Sequence, residues 1–273
     1  MPATIAQKRA EFSRLHHAGC FVIPNPWDVG SAVYLQSLGF KALASSSAGF
    51  AWSQGREDNT VTRDQVLAHL RAIVASVDIP VNADFEGGFA HDSAGVAANV
   101  TLAVETGVAG LSIEDYTGDD ANPLYEINAA VERIRAARAA IDAAGANVVL
   151  TARTESMLFG KTELPPIIRR LQLFAEAGAD CMFAPGLRSL EDIRAVVAAV
   201  SPKSVNIMGA YPELTVQDLA NLGVRRISTG GALARSAWDG FIKTATELAE
   251  KGTLTSLANV IPSPQINKIF AKP

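Results

Sequence analysis

The chain has 273 residues, 48% of them hydrophobic, and a net charge of −4. That is ample for one large core, because α/β barrels run about 250 residues as a single domain. No basic block is present, which excludes the usual footprint of a nucleic-acid partner, and no apolar run is long enough for a membrane span.

The start, MPATIAQKRAEF, lacks the apolar core of a signal peptide, so the expected compartment is the cytoplasm. Residues from about Thr4 to His17 read as a helix. Phe21–Ile23 is the first strand, followed by Pro24-Asn25-Pro26-Trp27-Asp28. Asp28 or Ser31 caps a helix that runs to about Leu38 and stops at Gly39. Lys41–Ala44 is strand two. Thr62–Val77 is the next helix, with Thr62 as N-cap and Val66, Leu67, Leu70, Ile73, Val74 and Val77 on one face. Strand three is Pro80–Ala83, and a helix spans about Ser93–Thr106. Strand four is Gly110–Ile113, its helix about Asn128–Ala144. Strand five is Val148–Ala152, its helix Pro165–Ala177. Strand six is Cys181–Ala184, its helix Leu190–Val200. Strand seven is Val205–Met208, its helix Val216–Leu222. Strand eight is Arg226–Ser228, and a long helix follows at about Leu233–Glu250.

Glycine steps such as Gly107-Val108, Gly145-Ala146, Gly178-Ala179 and Gly223-Val224 read as helix C-caps leading straight into strands. Strand–helix alternation eight times over implies a parallel sheet with right-handed crossovers. The expected fold is a (β/α)8 barrel in one domain over 1–273, with the core at about 20–230 and a helical C-terminal segment at 231–273. Two connections, Ser45–Val61 and Tyr116–Ile127, are longer than a compact barrel needs, so they are candidate walls or lids. Cys20 and Cys181 lie in or beside apolar runs and read as reduced, buried thiols.

The apolar runs end in polar clusters: VNADFEGG at 81–88, GLSIEDY at 110–116 and VVLTARTE at 148–155. In a barrel these ends converge on one face, where active sites sit. Asp84, Glu86, Glu114, Asp115, Arg153 and Glu155 are therefore expected to meet. Several carboxylates around one arginine suit a hard divalent cation and an anionic substrate. Asp84 and Glu86, two apart, face the same side if the chain stays extended. Two adjacent acids at Glu114-Asp115 are costly to ionise together without a cation or arginine nearby. Ser45-Ser46-Ser47-Ala48-Gly49 lets backbone N–H groups approach a carboxylate, or is simply a small-residue turn. Of the four histidines, His91 alone lies near the Asp84 loop. No dinucleotide fingerprint, P-loop or Ser-His-Asp order is visible.

The order Pro24-Asn25-Pro26-Trp27-Asp28, Ser46-Ser47-Ala48, Asp58, Asp84-Phe85-Glu86-Gly87-Gly88, Ser112-Ile113-Glu114-Asp115, Ala152-Arg153-Thr154-Glu155 and Asn206 resembles the isocitrate lyase/phosphoenolpyruvate mutase superfamily, over roughly residues 12–245. The resemblance implies a barrel whose eighth helix is exchanged between subunits of a dimer or tetramer, with Mg²⁺ (or Mn²⁺) chemistry on 2-oxo acids through enolate-like species. It implies that Asp84, Glu86 and Glu114 serve the metal, the last two largely through water, with Asp58 nearby. It further implies that Ser46, Ser47 and Ala48 hold a substrate carboxylate, that Trp27 and Asn206 line the pocket, and that Arg153 contacts the enolate. Arg153, Asp58 and Glu114 are then the expected catalytic residues.

The chain departs from the superfamily where the reactions differ. The C–C lyases carry a Lys-Lys/Arg-Cys-Gly-His loop after strand four; here that loop is YTGDDANPLYE. After strand six, lyases place Glu and mutases His; here the segment is Phe183-Ala184-Pro185-Gly186. The expected activity is therefore a Mg²⁺-dependent lyase on a small 2-oxo (di)carboxylic acid such as oxaloacetate, by decarboxylation or C–C cleavage. A phosphonopyruvate or carboxyphosphonate enzyme and a weakly active 2-oxo acid-binding barrel are the alternatives.

Overall fold

The computed structural model describes residues 2–209 and 213–271. Eight parallel strands form its centre: β1 (Phe21–Ile23), β2 (Leu43–Ala44), β3 (Val81–Asp84), β4 (Gly110–Glu114), β5 (Val149–Arg153), β6 (Cys181–Phe183), β7 (Ser204–Met208) and β8 (Arg226–Ser228). They hydrogen-bond in the order β1-β8-β7-β6-β5-β4-β3-β2, a nearly closed (β/α)8 barrel. The ladder is interrupted between β1 and β2. Pro24 and Pro26 follow β1 and carry no N–H, so no regular ladder continues there. Instead Ala44 N–H donates to Pro24 O at 3.1 Å and Asn25 Nδ2 donates to Ser45 O at 3.0 Å.

Around the strands lie α1 (Ile5–His17), α2 (Val29–Ser37), α3 (Ser47–Ser53), α4 (Arg63–Ser76), α5 (Ser93–Glu105), α6 (Ile127–Ala143), α7 (Leu164–Glu176), α8 (Leu190–Val200), α9 (Val216–Asn221), α10 (Ala232–Lys251) and α11 (Ser263–Phe270). Polar caps set many of their starts: Thr4, Asp28 and Thr62 each accept from the backbone three residues on in a capping box. At α2 both Asp28 and Ser31 take part, so the two cap candidates form one device. The expected α4 stripe, Val66, Leu67, Leu70, Ile73 and Val74, is buried, each side chain contributing about 1.5–3 kcal/mol of burial. One expectation changes: Ser45–Val61 is not one long loop, since Ser46 caps the short helix α3 inside it. The helical C-terminal segment expected at 231–273 continues past α10 with a 3-10 turn at Ser256–Asn259 and α11.

The strands are less uniformly apolar than buried parallel strands usually are. Ala83, Leu111, Ile113, Leu150, Ala152, Val205, Ile207 and Ile227 face the helices and join the main core. Their alternates, Asn82, Asp84, Ser112, Arg153, Asn206, Arg226 and Ser228, line a cavity inside the barrel. The opposite end is plugged by α1. Phe12 is fully buried and meets His16 and Phe21 edge-on, with centroids 4.6 and 6.3 Å away. Gly110 makes room for this plug, because a Cβ there would lie 2.4 Å from Phe12 Cε1.

The register explains how the polar residues reach different depths. Glu114 pairs with Arg153, Arg153 with Phe183, Phe183 with Asn206 and Asn206 with Arg226. In-register residues of parallel neighbours point to one face. This line starts at the last residues of β4, β5 and β6, passes the middle of β7 and ends at the first residue of β8. The stagger of a closed barrel therefore carries it from the mouth down toward the plug. Among the described residues no helix is long and apolar enough to cross a membrane.

Candidate active site

The cavity opens at the C-terminal ends of the strands. Asn25 ties the chain after β1 to the chain after β8: its Oδ1 accepts from Thr229 N–H at 2.9 Å and Gly230 N–H at 3.0 Å. The serine run does the same between β2 and β3. Ser45 Oγ accepts from Asp84 N–H at 2.9 Å, while Ser47 donates to Asp84 Oδ2 from its N–H at 3.0 Å and its hydroxyl at 2.9 Å. The small residues thus bring a backbone N–H to a carboxylate, here that of Asp84. Gly49 belongs to the same packing, since a Cβ on it would lie 2.7 Å from Trp27 Cβ.

Arg153 ends β5 among acids. Its Nη1 lies 3.3 Å from Glu114 Oε2 and 3.7 Å from Asp84 Oδ1, and its Nε donates to Glu155 Oε1. Burial pulls the guanidinium down, but Glu155, Glu114 and Asp84 together outweigh it and hold Arg153 above its ordinary range. Its Nη2 has no hydrogen bond to any described residue and remains for a ligand. Burial raises Glu114 well above the usual carboxylate range, against the pull of Arg153. Burial, then the charges of Asp84 and Asp58, push Glu86 up to about 8. Asp58, at the rim, is raised by desolvation and then by Asp84.

Glu86 does not continue the strand. It takes φ +46°, a left-handed conformation that is uncommon outside glycine. The turn therefore begins at Glu86 and continues through Gly87-Gly88, where Gly88 takes φ +75°, so the extended geometry expected up to Gly87 stops one residue early. Its Oε1 is buried without a hydrogen-bond partner among the described residues. Glu86 and Glu114 line a cleft next to the cavity, whereas Asp58, Asp84 and Arg153 line the cavity. Arg153 bridges the two. Among the described residues no group of three or more His, Cys, Asp and Glu side chains forms a complete metal cage.

Other candidates take different places. Asp115 leaves the site: its Oδ1 accepts from Glu155 N–H at 2.9 Å and its Oδ2 from Arg170 at 3.1 Å, which ties β4 and β5 to α7. The adjacent acids need not share a charge, because neighbours on a strand face opposite sides. Trp27, expected in the pocket, lies outside the cavity lining, and Asn25 of the same motif takes that position. Ser46, Ser47, Ala48 and Asn206 do line it. His91 lines the cleft and bonds Tyr125 Oη at 2.9 Å.

Several positions escaped the sequence reading. Asn82, Ser112, Arg226 and Ser228 line the cavity; their signal was a polar residue at every second position within an apolar strand. Arg133, inside α6, donates to Ala90 O and His91 O at 2.7 and 2.6 Å and also to Gly87 O, clamping the loop after β3. Its sequence context carried no such signal.

The family model of phosphoenolpyruvate phosphomutase matches residues 12–249. A solved structure provisionally assigned as a lyase/mutase, from Burkholderia cenocepacia J2315, shares 43% identity and superposes with a TM-score of 0.95, covering 98% of each chain. The 2-methylisocitrate lyase of Escherichia coli K12 is 32% identical over 202 residues, which is 71% of this chain and 68% of that protein. The oxaloacetate decarboxylase of Pseudomonas entomophila L48 is 28% identical over 234 residues, 82% and 78% respectively. The match over most of the barrel establishes that this chain belongs to the phosphoenolpyruvate phosphomutase family, within the phosphoenolpyruvate mutase/isocitrate lyase superfamily of enzymes that act on small oxo acids.

Proposed function

We propose that this enzyme is a Mg²⁺-dependent lyase that decarboxylates a small 2-oxo dicarboxylic acid, oxaloacetate being the simplest. The observation behind this reading is Arg153, flanked by acids with Nη2 uncommitted, opposite strand ends that present Phe183 and Met208 instead of a titratable group. Cleavage of an isocitrate-type bond needs a placed acid, and phosphonyl transfer needs cationic help for the phosphonyl group, which the segment Tyr116–Glu126 does not carry. Loss of CO₂ from a β-carboxy 2-oxo acid needs neither: the C–C bond electrons move into the enolate and CO₂ leaves unprotonated. The similarity to an oxaloacetate decarboxylase points the same way.

The acids fit a divalent cation. The orphaned Glu86 Oε1 and the mutual repulsion of Asp58, Asp84 and Glu86 are what a bound cation would relieve. Asp84 would hold it, with Glu86 and Glu114 acting mainly through water, which suits Mg²⁺ because that ion keeps several waters and needs few carboxylates (Mn²⁺ can substitute). The ion would polarise the 2-oxo group. Arg153 Nη2 would donate to the oxygen that becomes the enolate, in a site where burial strengthens the interaction. Ser46, Ser47 and Ala48 would orient the carboxylate next to the oxo group, and Asn206 would line the pocket from β7.

The test incubates the protein with Mg²⁺ and either oxaloacetate or phosphonopyruvate and follows pyruvate by NMR. Pyruvate from oxaloacetate, faster than Mg²⁺ alone produces it, is expected, with phosphonopyruvate unchanged. The reverse pattern would overturn the proposal. Calorimetry on Asp84→Ala should show Mg²⁺ binding abolished, and unchanged affinity would remove the metal assignment.

A further inference from the structure

Arg226 is a buried cation that the chemistry above does not use. It is 3% exposed and begins β8, at the deep end of the register line that starts at Glu114 and Arg153. Its Nε donates to Asn206 Oδ1 at 2.9 Å. Its Nη1 reaches His16 Nε2 and Asn82 Oδ1 only at 3.5 Å each. Its Nη2 has no hydrogen bond to any described residue. Among the described residues no carboxylate is paired with it; burial lowers its pKa and the Cys181 thiol supplies the opposing influence. His16 is no counter-charge either, since it is a buried imidazole.

An arginine stays protonated in a protein, so this charge persists. A buried charge without an opposite charge costs stability. The same cavity that Arg153 lines at the mouth reaches Arg226 at its floor. Arg226 lies two residues before the end of β8, about 7 Å below the mouth at the rise of a parallel strand. Asn206, with its carbonyl oxygen held by Arg226, turns its Nδ2 toward Ser228 Oγ at 3.0 Å. The floor therefore presents N–H and O–H groups and no acid.

We propose that Arg226 binds the second carboxylate of the substrate, so that this enzyme selects dicarboxylic over monocarboxylic 2-oxo acids. The proposal rests on the reading of the cavity as a 2-oxo acid site. The two arginines divide the work: Arg153 faces the oxo end at the mouth, and Arg226 reads the far carboxylate at the floor. Binding of that carboxylate supplies the counter-charge that the fold withholds.

The experiment measures affinity by calorimetry, with Mg²⁺ present, for pyruvate and for 3,3-difluoro-oxaloacetate. Both are 2-oxo acids; the second adds a carboxylate and its fluorines block enolisation at that carbon. Wild type is compared with Arg226→Met and with Arg226→Gln, which keeps a donor for Asn206, after circular dichroism confirms the fold. Both variants should bind the dicarboxylate about tenfold to a hundredfold more weakly, the loss expected for a charge-assisted hydrogen bond, and pyruvate within about threefold of wild type. Equal losses for both ligands would make Arg226 a support for Asn206 and Ser228 and overturn the proposal. Unchanged binding of both would overturn it as well. If wild type binds neither acid, the 2-oxo acid reading fails and this proposal with it. If wild type binds both but the variants do not discriminate, the Arg226 role alone fails.

Discussion

At the scale of single residues, the site is a balance between one arginine and its acids. Arg153→Lys keeps the charge but loses the planar fork that spans Glu114, Asp84, Glu155 and the uncommitted Nη2. Turnover should fall about a hundredfold or more, the usual loss for one donor to a developing oxyanion, and oxalate, an enolate mimic, should bind less tightly. Wild-type oxalate affinity in the lysine variant would remove Arg153 from that role. His16 sets a separate, acid-dependent term. Its burial, followed by the nearby Arg226 charge, lowers its pKa from 6.5 to about 3. Between those values the unfolded chain binds a proton that the folded chain refuses. Stability should therefore fall as pH drops from about 6.5 toward 3, with a slope approaching about 1.4 kcal/mol per pH unit, and this group should have no effect above 6.5. His69, lowered to about 4 by burial, adds in the same direction over a narrower window. Denaturant midpoints for wild type and His16→Gln across that range test this, the variant being expected to show the shallower acid limb.

Among the elements, the segment after β4 differs most from a simple connection. Tyr116 and Leu124 form an isolated antiparallel bridge, so Tyr116–Leu124 is a small hairpin. Its tip is held by Asp119, whose Oδ1 accepts from Ala121 N–H at 2.9 Å. Its base lines the cleft: Tyr116 stacks on Phe159 with centroids 5.0 Å apart, and Thr117 and Gly118 follow it. The hairpin carries no Cys, Lys or His, so its expected task is to cover bound substrate and exclude water. Removing Asp119–Ala121 should raise KM and slow turnover several-fold while leaving Mg²⁺ affinity unchanged by calorimetry. Full activity after trimming would make the hairpin only a connection. Helix α3 shows a further lesson at this scale. Seven residues after β2 became a helix because Ser46 caps Gly49 N–H at 3.1 Å and Gly49 lets Trp27 approach; the Gly- and Ser-rich composition masked both.

For the whole molecule, the C-terminal helices carry apolar surface that the barrel does not cover. In α10 Ala234 alone is buried, and Phe241, Ile242 and Leu248 are 61, 53 and 47% exposed. With Leu233, Ala237 and Ala245 these three form one apolar stripe at helical spacing. Leu254, Val260 and Ile261 extend the exposed apolar surface beyond it. Such a surface on a single chain marks an interaction face. A dimer or tetramer is expected, and light scattering at micromolar concentration checks it; Phe241→Glu with Ile242→Lys should shift the mass toward the monomer. A monomeric wild type would count against the assembly.

Strand positions, the caps at Asp28 and Thr62 and the eight-fold alternation were legible in the chain because they rest on local periodicity and hydrogen bonds within a few residues. Asp84, Glu114 and Arg153 were legible too, since strand ends of a barrel converge whatever the loops do. Depth was not. That Arg226, at the start of β8, shares a cavity with Arg153, at the end of β5, follows from the stagger of a closed barrel, which no single strand encodes. The direction of neighbouring side chains was equally hidden: Asp115 turns to Arg170 and Glu86 bends the chain because tertiary partners outweigh local extension. The sequence alone determined which chemical groups reach the mouth of the barrel; only the tertiary structure decided which of them face one another, because that depends on shear, burial and contacts between segments far apart in the chain.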